Sequence, residues 1–166
     1  MKHQHILFVL SALAVLAACK GEESDGNHLP ALPEHFVSTT PLESAVDVKA
    51  VRESAKDGER VVLRGTVQEF GALATLRLVE DSLSHCGEGN LEDEHCSTPW
   101  DFCCEDPAAL RRYTVNVEFL EGERPGAWRL RGAHGIDRLS EVTVAGVLHV
   151  DELGNMRLAA DRIALQ

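Results

Sequence analysis

The sequence predicts an all-β domain, a small barrel of five strands with one or two short helices and a long cysteine-rich loop between the second and third strands. Three observations predict it. Hydrophobic alternation of period two recurs in five separate segments after residue 59. Two glycines, Gly65 and Gly146, fall on the apolar face of two of those segments, where a strand of a small barrel must bend. The stretch 81–106 breaks the alternation and holds four of the five cysteines.

The chain opens Met-Lys-His-Gln-His, runs apolar from Ile6 to Leu16 and reaches Leu16-Ala17-Ala18-Cys19. A short charged start, an apolar run too brief to span a bilayer and small residues before a cut read as an export signal. The Leu-Ala-Ala-Cys ending resembles the lipobox of bacterial lipoproteins. That resemblance implies that residues 1–18 are removed and that Cys19 carries the lipid. The residue after it is Lys20 rather than Asp, which favours the outer over the inner membrane. Residues 19–41 are polar, with Pro30, Pro33 and Pro41, and read as a tether. As a flexible coil such a tether would reach roughly 25 Å.

The domain is expected over 42–166. Its first part, 42–58, carries Val48, Val51 and Ala55 at helical spacing, and Asp57-Gly58 gives a stop signal. The first strand alternates Val61, Leu63, Gly65 and Val67 with polar neighbours, and the second alternates Ala74, Leu76 and Leu78. After the cysteine loop, Tyr113, Val115, Val117 and Phe119 form a third, and Val142 to Val150 a fourth. The fifth runs from Met156 to about Leu165, and its apolar set shifts register near Asp161-Arg162, the sign of a bulge or an early end. Between the third and fourth strands, Gly132–Leu139 can hold one helical turn. Five strands, a turn of helix after the third and bends in the first and fourth resemble the OB-fold barrel.

The formal net charge is −11, and −12 once the leader and its Lys2 are gone. A surface of that sign repels phosphate backbones, so nucleic-acid binding is not expected. Few aromatic residues are present, which argues against an aromatic platform for sugars. There is no Gly-x-Ser-x-Gly elbow, phosphate loop, dinucleotide fingerprint or His-Glu-x-x-His, and no residue is expected to be catalytic.

The chemistry concentrates in 81–106, which contains eight acidic residues and no Lys or Arg. Cys86, Cys96, Cys103 and Cys104 lie there, with His85 and His95 each directly before a cysteine. Four cysteines in an exported domain read as two disulfides, because thiols are oxidised outside the cytoplasm. Of the three pairings, joining Cys103 to Cys104 ranks last, since it leaves the long loop open. The other two tie Cys86 and Cys96 to the vicinal pair. Each such bond stabilises by roughly 3 kcal/mol in the chain-entropy model. The competing reading is a zinc or copper site built from the four cysteines with His85 and His95. A third is a thiol redox pair at Cys103 and Cys104, weakened by the lack of Cys-x-x-Cys.

The run Cys96-Ser-Thr-Pro-Trp-Asp-Phe-Cys-Cys104 resembles a motif of uncharacterised exported bacterial proteins described as OB-fold or nucleic-acid-binding-domain-containing. That resemblance implies the fold and no catalytic residue, and its functional label derives from the fold alone. The expected function is a non-catalytic, disulfide-stabilised binding module of a cell-envelope lipoprotein, with no cofactor. Its partner would be a protein, peptide or glycan met through the loop, with Trp100 and Asp101 at the contact. Arg64, Arg77 and Asn116 are candidates for a polar stripe on the barrel face, although a solvated sheet face is the simpler expectation. His28 and His35 belong to the tether, and His134 and His149 to the surface.

Overall fold

The computed structural model describes residues 28–87 and 98–166. In chain order it contains β1 (Val46–Asp47), α1 (Val48–Ser54), β2 (Arg60–Phe70), β3 (Thr75–Val79), α2 (Pro107–Arg112), β4 (Thr114–Glu121), β5 (Arg124–Pro125), β6 (Glu141–Val150) and β7 (Met156–Leu165). The five long strands pair in the order β2-β3-β4-β7-β6, and β6 returns to β2, so the barrel closes. Within this ring only β4 and β7 run parallel. A closed five-stranded barrel with this mixed order is OB-like, as the alternation predicts. The two-residue strands are additions, β1 parallel on β2 and β5 antiparallel on β4.

The inward face is the predicted one. Leu63, Val67, Leu78, Val117, Phe119, Leu148, Leu158 and Ile163 are fully buried on this face, while their sequence neighbours in the strands point to the other. Closure depends on β2, which pairs with β6 along Arg60–Thr66 and with β3 along Thr66–Phe70. The change of partner falls beside Gly65, where a Cβ would stand 2.7 Å from the Val79 carbonyl oxygen. Gly146 is equally constrained, since a Cβ there would overlap the Ala159 carbonyl. Opposite it β7 bulges. Ala145 pairs with Arg162 and Gly146 with Ala160, which leaves Asp161 as the extra residue. The register shift near Asp161 is therefore a bulge, and the strand continues to Leu165.

Two expectations require correction. The helix expected over 42–58 spans only Val48–Ser54, with Asp47 at its N-cap position. Residues before it form a turn and then β1, because pairing Val46 with Leu63 and Asp47 with Arg64 extends the sheet where a helix could not. Val48 and Val51 nevertheless face the core as their spacing predicts, and Ala55 packs against it. The helical turn expected in Gly132–Leu139 is present as a single 3-10 turn, Ala133–Gly135, with Gly132 before it (φ 72°) and Gly135 at its end (φ 82°) in the left-handed region. A longer helix cannot pass through that backbone.

The second correction concerns the tether. Residues 28–41 are not free of the barrel. Leu32 is 1% exposed and Phe36 7%, both in the core cluster. The Leu32 amide donates to the Arg129 carbonyl, the Arg129 amide to Pro30 and the Ser38 amide to Ile163. Phe36 meets Phe119 edge-on at 5.4 Å and Trp128 at the same distance. The missed signal is the isolated apolar pair Leu32 and Phe36 at helical spacing inside a polar, proline-rich stretch.

Candidate functional site: the cysteine loop

The loop leaves β3 at Val79 and rejoins the barrel through α2 and β4. Its first residue is the most buried polar one among the loop's described residues. Glu80 is 6% exposed, and its carboxylate accepts the Lys49 amide at 2.6 Å in the first turn of α1. The carboxylate thus satisfies an amide that the helix leaves unpaired and places negative charge at its N-terminus. Asp81 accepts the Thr66 hydroxyl and lies 3.6 Å from Arg64, so the start of the loop is fixed on β2.

Two arms of the loop, 82–87 and 98–106, are held together mainly by backbone bonds. The Cys86 amide donates to the Asp101 carbonyl at 2.7 Å and the Gly87 amide to Pro99 at 2.8 Å. The Ser84 amide donates to the Glu105 carboxylate at 2.9 Å. Phe102, 1% exposed, is the apolar anchor beneath this pairing, with His85 edge-on to it at 6.2 Å. Asp101 caps its own turn by accepting the Phe102 amide, and Trp100 stacks under the Arg138 guanidinium at 5.3 Å. Arg138 precedes β6, so Trp100 ties the loop to a distant part of the chain. Trp100 is half-buried, and Asp101 serves the turn.

After this turn the chain bends again, and Cys103 and Cys104 both present sulfur to Cys86. The Cys86 Sγ lies 3.1 Å from Cys103 Sγ and 2.9 Å from Cys104 Sγ. All three sulfurs fall within 4.8 Å of one another. Neighbouring residues of a straight strand point to opposite sides, so this convergence requires the bend. The Cys103 thiol is pushed up to about 12, first by its hydrogen bond with Cys86, then by desolvation and by the charge of a Cys86 thiolate. At neutral pH Cys103 therefore keeps its proton, which makes it a poor nucleophile. The His85 Nδ1 lies 3.0 Å from the Pro99 carbonyl oxygen and 3.2 Å from the Gly87 amide, so that nitrogen serves the backbone pairing of the two arms.

The loop closes through α2, which sequence reading missed. Asp106 is its N-cap, accepting the Ala108 amide, and Pro107 opens the helix. The Asp-Pro pair was a legible start signal. Its last carbonyls are gathered by Arg52 of α1, which donates to Arg112, Arg111 and, across the β6–β7 turn, Gly154. Arg52 and Glu80 are the two structural residues of the site that spacing alone did not reveal.

The remaining candidates are dispersed. Arg77 and Asn116 are cross-strand partners, joined at 3.4 Å, and Arg77 also pairs with Glu69. Arg64 is not with them and instead pairs with Asp47 and Asp81. His134 meets the Leu32 carbonyl at 2.6 Å, and His149 lies 3.9 Å from Asp57 beside a polar groove of 410 Å³ under the β6–β7 turn. Cys19, His95 and Cys96 lie outside the described residues.

No known protein family and no curated protein matches this chain. Solved structures do. The hypothetical protein YgiW from E. coli is 14% identical, with a TM-score of 0.41, covering 78% of this chain and 97% of that one. An aspartyl-tRNA synthetase from Entamoeba histolytica is 13% identical, with a TM-score of 0.44, over 82% of this chain and only 26% of the enzyme. The telomere capping protein Ten1 from Saccharomyces pombe is 11% identical, with a TM-score of 0.32, over 74% of each chain. Strand order and closure define the class here, a small OB-like barrel protein. Its distinguishing feature is a three-sulfur cluster on the loop between β3 and β4.

Proposed function

We propose that the chain is a cell-envelope lipoprotein whose OB-like barrel is a non-catalytic binding module, meeting a protein, peptide or glycan through the cysteine loop. The observation that carries this reading is the convergence of Cys103 and Cys104 on Cys86. A loop so rich in charge buries little apolar surface, and a sulfur brace across its two arms gives it a fixed shape to present. Outside the cytoplasm that brace is a disulfide from Cys86 to one of the vicinal pair, with Cys96 taking the other. Leu16–Cys19 supports lipidation at Cys19 and removal of residues 1–18. The chain packs on the barrel from about Pro30, and Lys20 after the cysteine favours the outer membrane.

Cell fractionation with mass analysis tests this reading. The mature protein should partition with membranes, start at an acylated Cys19, and weigh four hydrogens less than its fully reduced form. Cys19→Ala should release it. A soluble protein with an unmodified N-terminus removes the lipoprotein assignment, and four alkylatable thiols in the isolated protein remove the disulfide brace.

A further inference from the structure

The groove under the β6–β7 turn has no lining residue from the cysteine loop and a chemistry of its own. Strand register builds it. Asn116 of β4 pairs across to Arg157 of β7, and Arg157 to His149 of β6, so three polar side chains stand in one row on the outer surface. Asp57, ahead of β2, and Asn155, in the turn, extend the polar lining, and Val150 and Met156 add an apolar part. The volume, 410 Å³, is usual for a site that takes a small ligand.

The polar side chains are held from one side and open on the other. Arg157 Nη1 donates to Glu118 at 2.8 Å, and Asn116 Oδ1 accepts from Arg77 at 3.4 Å. Asp57 Oδ1 accepts the Val150 amide at 2.9 Å, and the Asn155 side chain donates to Asp151 at 2.8 Å. Among the described residues this leaves Arg157 Nε and Nη2 and Asn116 Nδ2 to donate, and one oxygen each of Asp57 and Asn155 to accept. Side chains fixed in advance lose little freedom on binding.

Donors and acceptors side by side match neighbouring hydroxyl groups, each of which both donates and accepts. The charges point the same way. Arg157 already has Glu118, and His149 lies 3.9 Å from Asp57, so an ionic ligand meets little unmatched charge. Asn116 and Arg157 stand on strands paired on both sides, so the groove offers a peptide no main-chain edge. We propose that this groove binds a sugar unit of a neutral glycan, with Arg157 and Asn116 donating to its hydroxyls and Asp57 and Asn155 accepting from them. The site adds a second contact surface to the module and rests on neither lipidation nor the cysteine loop.

The test is titration of the nitrogen-15-labelled full chain with two neutral disaccharides, cellobiose and diacetylchitobiose, followed through amide resonances. Saturable shifts centred on Asp57, Asn116, His149 and Asn155 are expected with at least one of them. Arg157→Ala should weaken binding at least tenfold, and so should Asn116→Ala, an exposed position whose truncation leaves the core untouched. Arg60→Ala, at the β7 bulge, should stay within twofold of the parent. Absence of saturable shifts with both sugars overturns the site. So does unchanged affinity in both groove variants. Shifts confined to 82–87 and 98–106 also overturn it, and they would assign the sugar to the loop. Tighter binding of a uronic acid disaccharide or of dialanine than of either neutral sugar overturns the choice of ligand.

Discussion

Two residues carry most of the local logic of the loop. Glu80 places a buried carboxylate against the first turn of α1, so Glu80→Ala leaves the Lys49 amide unpaired and a small cavity behind. It should cost about 1–2 kcal/mol, read as a lower urea midpoint at unchanged slope. Glu80→Gln, which keeps an acceptor, should recover much of that loss. Cys103 makes a kinetic prediction. With its thiol pushed up to about 12, reduced protein at pH 8 should alkylate there far more slowly than an ordinary exposed cysteine. Cys86→Ala removes the first cause of the shift and should raise that rate, while desolvation and Cys104 keep it below that of a free thiol. None of this was visible in the sequence. Glu80 stood one position outside the conspicuous acidic stretch, and a carboxylate's burial depends on which helix arrives from elsewhere in the chain.

At the scale of elements, the strands were the most legible part, because each exposes one face and alternation records it directly. Gly65 and Gly146 were read as bends from position alone, and both have a carbonyl where a Cβ would stand. Gly65→Ala and Gly146→Ala should each destabilise by about 1–3 kcal/mol through forced backbone movement, as measured by thermal or urea unfolding. Short helices were less legible. Periodicity found the buried face of α1 and overran its start, because Leu42–Asp47 has apolar residues that serve a turn and a strand. The helix α2 is six residues long with none buried, so it had no apolar stripe to find. The β6–β7 turn carries a pH dependence. Asp151 accepts from the Asn155 side chain and backbone and from the Leu153 amide, and these bonds hold its carboxyl below the usual range. A lowered folded-state value means that the turn's contribution is complete above the ordinary carboxylate range and is lost as pH falls from there through the lowered folded-state value. Hydrogen exchange at Leu153 and Asn155 should accelerate on acidification relative to the rest of β6 and β7. Asp151→Asn should abolish that difference.

For the molecule as a whole, the main lesson comes from residues 28–41. Composition marked them as tether, yet Leu32 and Phe36 complete the core beside Phe119 and Ile136. Single apolar residues in a polar stretch leave no periodic trace, so only the folded chain reveals what they cover. Phe36→Ala should cost about 3–5 kcal/mol, comparable to an interior strand position. A purely flexible tether would lose nothing. The cysteine loop was legible as a cluster from its composition and opaque as a geometry, because a vicinal pair can face one partner only where the backbone bends. The most direct measurement of that geometry is peptide mapping, without reduction, of protein taken from its native cells and trapped by alkylation at low pH. A Cys86 peptide disulfide-linked to the peptide carrying Cys103 and Cys104 is expected, with loss of that link in Cys86→Ala. Cys86 linked to Cys96, with Cys103 bonded to Cys104, would contradict it.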